Sequence, residues 1–216
     1  INAHGARWLL MIDLSTGKAM RVVAAAVAVS LLSPPLMRQI DERRSSQLNV
    51  GGVDFKSQKY VHRKKVVPVG KSNLHIFLVH VCSAVLYLEP GVPNAKALED
   101  RPKALEIAYT RHVRAEDFAK STLIIIQRHG LLTPRIASLC DKFNALYRDV
   151  HPGDRYLVEY HPRHGVTLRL NGKVLGHVGY RDPDFAHALY SVWLGDHAFH
   201  HQFRNEIMRR FVPSAG

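Results

Sequence analysis

The sequence predicts an α+β domain in two layers, one antiparallel sheet with amphipathic helices laid across it. Three observations point there. Period-two strand patterns are grouped early and late in the chain, tight-turn residues join the late ones, and the helical patterns carry single apolar stripes that need a sheet to cover them. With 216 residues, 46% of them hydrophobic, the chain can bury one full core, so one domain behind an N-terminal extension is the economical division.

The elements follow in order. Residues 1–19 show no sustained periodicity and read as translation upstream of the true start. Met20-Arg21, the apolar run 22–32 and the breaker Ser33-Pro34-Pro35 have the layout of a signal peptide over 20–36, too short to span a bilayer. The competing reading is a short core or interfacial helix. Export predicts a periplasmic or secreted protein. Residues 37–49 are polar and form a flexible lead-in, and the folded domain is expected over 50–212.

Residues 56–69 alternate weakly and end at Pro68 and Gly70, as an early strand or hairpin would. Residues 74–88 are apolar at both parities and read as one long central strand covered on both faces. On that reading His75 and His80, five apart, point to opposite faces and do not act together. A turn and short helix fill 90–100, and 104–109 is a strand with Leu105, Ile107 and Tyr109 on one face. Residues 115–127 form a helix stopped by His129-Gly130. Thr133-Pro134 starts the next, with a stripe of Ile136, Leu139, Cys140, Phe143, Leu146 and Tyr147.

The stretch 154–195 is the most informative. Tyr156, Val158 and Tyr160 alternate along a strand, Pro162-Arg163-His164-Gly165 turns it, and Val166, Leu168 and Leu170 alternate along the next. Asn171-Gly172 tolerates the positive φ of a type I′ hairpin and returns the chain through 173–178. Asp182-Pro183 supplies an N-cap and first turn for a helix bearing Phe185, Leu189, Val192 and Trp193, ended by Gly195. Phe199, Phe203, Ile207, Met208 and Phe211 mark a last amphipathic helix. The expected order is β-β-β-α-α-β-β-β-α-α.

The formal charge of +12 raises an anionic partner, either nucleic acid or a membrane surface. The basic residues are dispersed, only Arg63-Lys64-Lys65 and Arg209-Arg210 cluster, and no zinc-finger, KH or RRM signature is present. This argues against nucleic acid and leaves a solvated basic surface, with peripheral membrane contact as the remaining macroscopic partner. Cys82 and Cys140 lie in apolar settings and read as two buried thiols. A bridge requires the strand of Cys82 to pass under the helix of Cys140.

Fourteen histidines invite a metal reading. His197 and His201 have i, i+4 spacing on one expected helix with His200, but a third ligand is missing, so no metal site is expected. The sequence has no Gly-rich phosphate loop, no Gly-x-Ser-x-Gly elbow and no Cys-x-x-Cys, so neither a cofactor nor a catalytic group is nominated by residue chemistry.

A resemblance adds to this reading. Gly52-Val53-x-Phe55, a glycine before a long apolar strand ending Leu86-Tyr87-Leu88-Glu89, Gly153-Asp154 with the Asn171-Gly172-Lys173 hairpin, and Phe185-x-x-Ala188-Leu189-x-x-x-Trp193-Leu194-Gly195-Asp196 together resemble the bacterial chalcone isomerase-like proteins over about residues 50–211. The resemblance implies an open-faced β-sandwich, a large antiparallel sheet covered by a layer of helices, with an apolar cleft between the layers. It also implies one of two activities. Active members close a chalcone phenol onto its enone with the help of an arginine, a strand threonine, a helix tyrosine and an asparagine, whereas non-catalytic members bind fatty acids in the same cleft.

Carried across, the Gly-x-Gly-x-Arg turn falls on Gly70-Lys71-Ser72-Asn73-Leu74, which leaves Leu74 in the place of the arginine. The strand threonine falls on Cys82, and the helix tyrosine and asparagine fall near Phe118 and Ile125. A cyclase needs a cation to stabilise its developing enolate, and leucine supplies none. Lys71 or His75 are the candidates to replace it. The sequence thus favours a non-catalytic binding protein for a fatty acid or similar amphiphile, with Leu74, Cys82, Phe118 and Ile125 lining the site. An isomerase of intramolecular lyase type and a structural or partner-binding envelope protein are the alternatives.

Overall fold

The computed structural model describes residues 47–209 and Phe211; the expected upstream segment, the signal peptide and most of the lead-in lie outside the described residues. Among the described residues, nine strands and four α-helices follow one another in chain order. The strands are β1 (Gln47–Val50), β2 (Val53–Lys56), β3 (Lys59–Val61), β4 (Lys64–Ile76), β5 (Val79–Leu88), β6 (Lys103–Tyr109), β7 (Arg155–His161), β8 (Gly165–Leu170) and β9 (Lys173–Val178). The helices are α1 (Ala115–Arg128), α2 (Pro134–Asn144), α3 (Pro183–Leu194) and α4 (His201–Ile207). A 3-10 turn at Asn94–Lys96 sits between β5 and β6.

Strands β3 to β9 form one seven-stranded meander in sequence order, every neighbouring pair antiparallel, while β1 and β2 make a separate hairpin. The sheet carries a hydrophobic core on each face. Leu86, Leu105, Ile107, Val158, Leu168 and their neighbours pack with the helices. On the opposite face Val66, Val85, Tyr87, Ala104 and Ala108 pack with Val50 and Phe55 of the β1–β2 hairpin. This is why β5 is apolar at both parities: each face of the strand is buried by a different layer.

The helix starts follow the capping residues. The Thr133 hydroxyl accepts from the Ile136 amide at 3.2 Å and the Asp182 carboxylate from the Phe185 amide at 2.9 Å, each with proline at the first helical position. Such caps stabilise by about 1 kcal/mol apiece. The last helix lies close on the sheet at Gly70, where a Cβ would stand 1.8 Å from the Ile207 carbonyl oxygen. The Glu206 carboxylate fixes the same contact by accepting from the Ser72 hydroxyl at 2.8 Å and the Asn73 amide at 3.2 Å.

Three expectations need correction. Residues 74–88 are not one strand: Phe77-Leu78 form a two-residue turn with φ of 47° and 67°, and β4 and β5 pair across it. Among the described residues six strands therefore precede α1, and Gly70 to Leu74 is strand interior, not turn. His75 and His80, expected on opposite faces of one strand, are cross-strand partners with rings stacked at 5.0 Å. Finally, α4 begins at His201, so His197 precedes the helix and the i, i+4 pairing of His197 with His201 does not form. His200 instead caps that helix through Nδ1, which accepts from the Phe203 amide at 3.3 Å.

Candidate functional site

Between α1 and the sheet lies a cavity of about 280 Å³. The sheet supplies its floor through the inward parity of three adjacent strands: Leu74 of β4, Cys82 of β5, and Ile107 and Tyr109 of β6. Register places Leu74 opposite Cys82 and Cys82 opposite Tyr109, so these three side chains form one row across the sheet. Phe118 and Thr122, four apart on α1, form the roof with Tyr147, while Trp193 of α3 and Phe203 of α4 close the end. The mouth is made by exposed Ile76, Ser121 and Phe199.

The walls are held by an aromatic cluster. Tyr109, Phe118, Tyr147 and Tyr156 meet one another with ring centroids 5.2 to 6.0 Å apart, mostly edge to face. Tyr156 is anchored by its hydroxyl, which donates to the Arg148 carbonyl and accepts from the Arg148 amide, both at 2.7 Å. Tyr147 stands 3.4 Å from the Thr122 hydroxyl, and Thr122 donates to the Phe118 carbonyl at 2.8 Å.

Among the described residues, the cavity lining holds no lysine, arginine or histidine. Its one carboxylate, Asp117 near the mouth, is already engaged by the Arg114 guanidinium at 3.1 and 3.2 Å, and that hydrogen bonding lowers its pKa. Burial raises the Cys82 thiol to about 12, so it remains a neutral thiol and not a nucleophile. Burial likewise holds Tyr109 and Tyr147 far above the ordinary phenol range. Tyr109 is only 7% exposed, and its hydroxyl makes no hydrogen bond to any described residue. A phenol in that position is an unspent neutral donor.

Among the residues nominated from sequence, Leu74, Cys82 and Phe118 come together around this cavity. Ile125 is buried in the core beside it but does not line it. Lys71 and His75 lie outside. The Lys71 ammonium sits over the Phe211 ring at 4.7 Å, and His75 is stacked on His80 on the far side of β4 from Leu74. Cys140 is buried and free, as is Cys82. The residues that sequence reasoning missed are Tyr109, Thr122, Tyr147 and Trp193. For Tyr109 a signal existed, since it shares the inward parity of Leu105 and Ile107 and is the only one of the three with a polar tip.

Comparison with known proteins gives three findings. Residues 47–208 match the chalcone isomerase-like family. No curated protein matches the sequence. Among solved structures the fold is similar to that of a fatty-acid binding protein of Arabidopsis thaliana, with a TM-score of 0.56 at 11% identity, over 75% of this chain and 95% of that one.

Proposed function

The chain belongs to the chalcone isomerase-like family, and we propose that within it this protein is a binder of single-chain amphiphiles and not an enzyme. The observation that carries this reading is the chemistry of the cavity lining: apolar and aromatic walls, a neutral phenol at Tyr109, and no cation among the described residues. A cyclase must stabilise an enolate as it forms, and Leu74 occupies the position at which the resemblance implies the stabilising arginine. The solved fatty-acid binding protein of the same fold supports a ligand with a long apolar chain.

The same lining restricts the head group. An ionised carboxylate buried without a cation or a set of donors is strongly disfavoured, and the group takes up a proton instead. Fatty acid therefore enters as the uncharged acid, and a neutral acceptor such as an ester or an aldehyde serves as well, with the Tyr109 hydroxyl donating to it. The apolar run after Met20-Arg21 supports an exported protein whose family-matched domain covers residues 47–208. N-terminal sequencing of the mature protein tests that part.

Displacement of a fluorescent acyl reporter by long-chain fatty acid and by its methyl ester tests the binding. Both ligands are expected to compete at acidic pH, and only the ester is expected to keep its affinity as the pH rises to 8. Chalcone incubated with the protein is expected to cyclise at the solvent rate. Flavanone formed well above that rate, and lost in Tyr109→Phe, overturns the reading in favour of an isomerase.

A further inference from the structure

The tip of the β4–β5 hairpin combines two features that are each unfavourable in water. Phe77 and Leu78 are 95% and 99% exposed, and they are flanked by Ile76 and Val79 at 45% and 42%. Both tip residues also hold left-handed φ angles, which a bulky side chain disfavours. The other two-residue turns of the sheet avoid this combination. Asn171-Gly172 uses the residue types that suit a left-handed turn, and His62-Arg63 presents polar side chains to solvent.

We propose that this tip inserts into a lipid bilayer and seats the mouth of the cavity on the membrane surface. The shape of the tip selects a bilayer over a protein partner. Phe77 offers about 150–250 Å² and the smaller Leu78 less, together far below the roughly 1,200 Å² that a stable protein interface buries. A bilayer asks for no matching surface, only for apolar side chains that reach past the head groups.

Charge close to the tip of the hairpin fits the same partner. Thr110 donates through its amide to the Val81 carbonyl and through its hydroxyl to the His80 carbonyl, which brings Arg111 near the start of β5. The exposed Arg111 guanidinium meets only the Thr110 carbonyl among the described residues, and so is free for a phosphate head group. Neighbouring His112 is already close to a carboxylate, Asp149 at 3.6 Å.

The tip is continuous with the cavity. Ile76, next to the tip, and Val81, on the strand that leaves it, line the cavity, and partly exposed Phe199 completes the opening. A bilayer that receives Phe77 and Leu78 therefore faces the mouth through which an acyl chain enters or leaves. The insertion itself does not depend on what the cavity holds.

Flotation with mixed phosphatidylcholine–phosphatidylglycerol vesicles tests the proposal, comparing the unaltered chain with the double variant Phe77→Asn, Leu78→Gly. That pair already makes the β8–β9 turn of this protein, so the variant keeps its fold, and a melting temperature at or above that of the unaltered chain verifies it. The unaltered protein is expected to float with the vesicles and the variant to lose about tenfold or more in vesicle affinity. In Phe77→Trp, emission is expected to shift to the blue on vesicle addition and to be quenched by brominated acyl chains. Failure of the unaltered protein to float, or equal flotation of the folded double variant, overturns the proposal. So does a finding by sedimentation velocity that the tip drives self-association and not vesicle binding.

Discussion

Leu74 and Cys82 face each other as registered partners on β4 and β5 and both line the cavity, where neither can offer a charge. Leu74 is 4% exposed and Cys82 3%. Where the resemblance implies an arginine, the protein has an alkyl group, and beside it a thiol that burial keeps protonated. On the proposed reading this pair distinguishes a hydrocarbon site from a catalytic one.

The substitution Leu74→Arg converts that difference into a measurement. A guanidinium buried without a partner is expected to cost about 3 kcal/mol or more, read as a lowered melting temperature. Long-chain carboxylate is then expected to restore much of the loss by pairing with it, because a ligand that binds only the folded state stabilises that state. At pH 8 the same carboxylate is expected to shift the unaltered protein far less.

Tyr109→Phe removes a hydroxyl that meets no hydrogen-bond partner among the described residues. Stability is expected to change by less than about 1 kcal/mol, since no internal hydrogen bond is broken. Affinity for a long-chain methyl ester is expected to fall by about threefold to tenfold, while affinity for an alkane of equal length stays level. Calorimetric titration of the two ligands checks the contrast.

At Gly70 the limit is steric. Any side chain there meets the Ile207 carbonyl, so Gly70→Ala is expected to push α4 away from β4 and cost about 2–3 kcal/mol in denaturant unfolding. Phe203 belongs to α4 and lines the cavity, so ligand affinity is expected to drop with it.

Lys103 predicts a pH dependence. It is 1% exposed, its ammonium donates to the Glu99 carbonyl at 2.6 Å, and it lies over the rings of Tyr160 and Tyr190 at 5.3 and 5.2 Å. Burial outweighs the attraction of Asp100 and lowers its pKa to about 7. From there up to the ordinary lysine value of about 10.4, the unfolded chain holds a proton that the folded chain does not. Stability therefore gains a rising contribution with pH across that window, and its full penalty is present below it. Urea unfolding across the window is expected to show the slope in the unaltered protein and its loss in Lys103→Met.

How much of this was legible depended on punctuation. Asn171-Gly172 and Asp182-Pro183 announce a turn and a helix start, and both occur where expected. Phe77-Leu78 announces nothing: two apolar residues in an apolar run carry no turn chemistry, so two strands read as one. That fusion also separated His75 from His80, which the hairpin stacks. The row of Leu74, Cys82 and Tyr109 depends on register across three strands, which no local pattern encodes. The parity of Tyr109 was visible, but its lack of a partner is a property of the assembled cavity. For α4 the apolar spacing extended from Phe199 to Phe211, whereas the helix covers His201–Ile207, its start fixed by His200, whose ring accepts from the Phe203 amide.

The most direct measurement is native mass spectrometry of the protein mixed with a long-chain methyl ester, set beside Cys82→Phe. One ester per chain is predicted for the unaltered protein. In Cys82→Phe the added ring fills the cavity floor, and the bound species is predicted to disappear while the fold persists. An unaltered chain that carries no ester, or a Cys82→Phe variant that binds it undiminished, contradicts the cavity as the site.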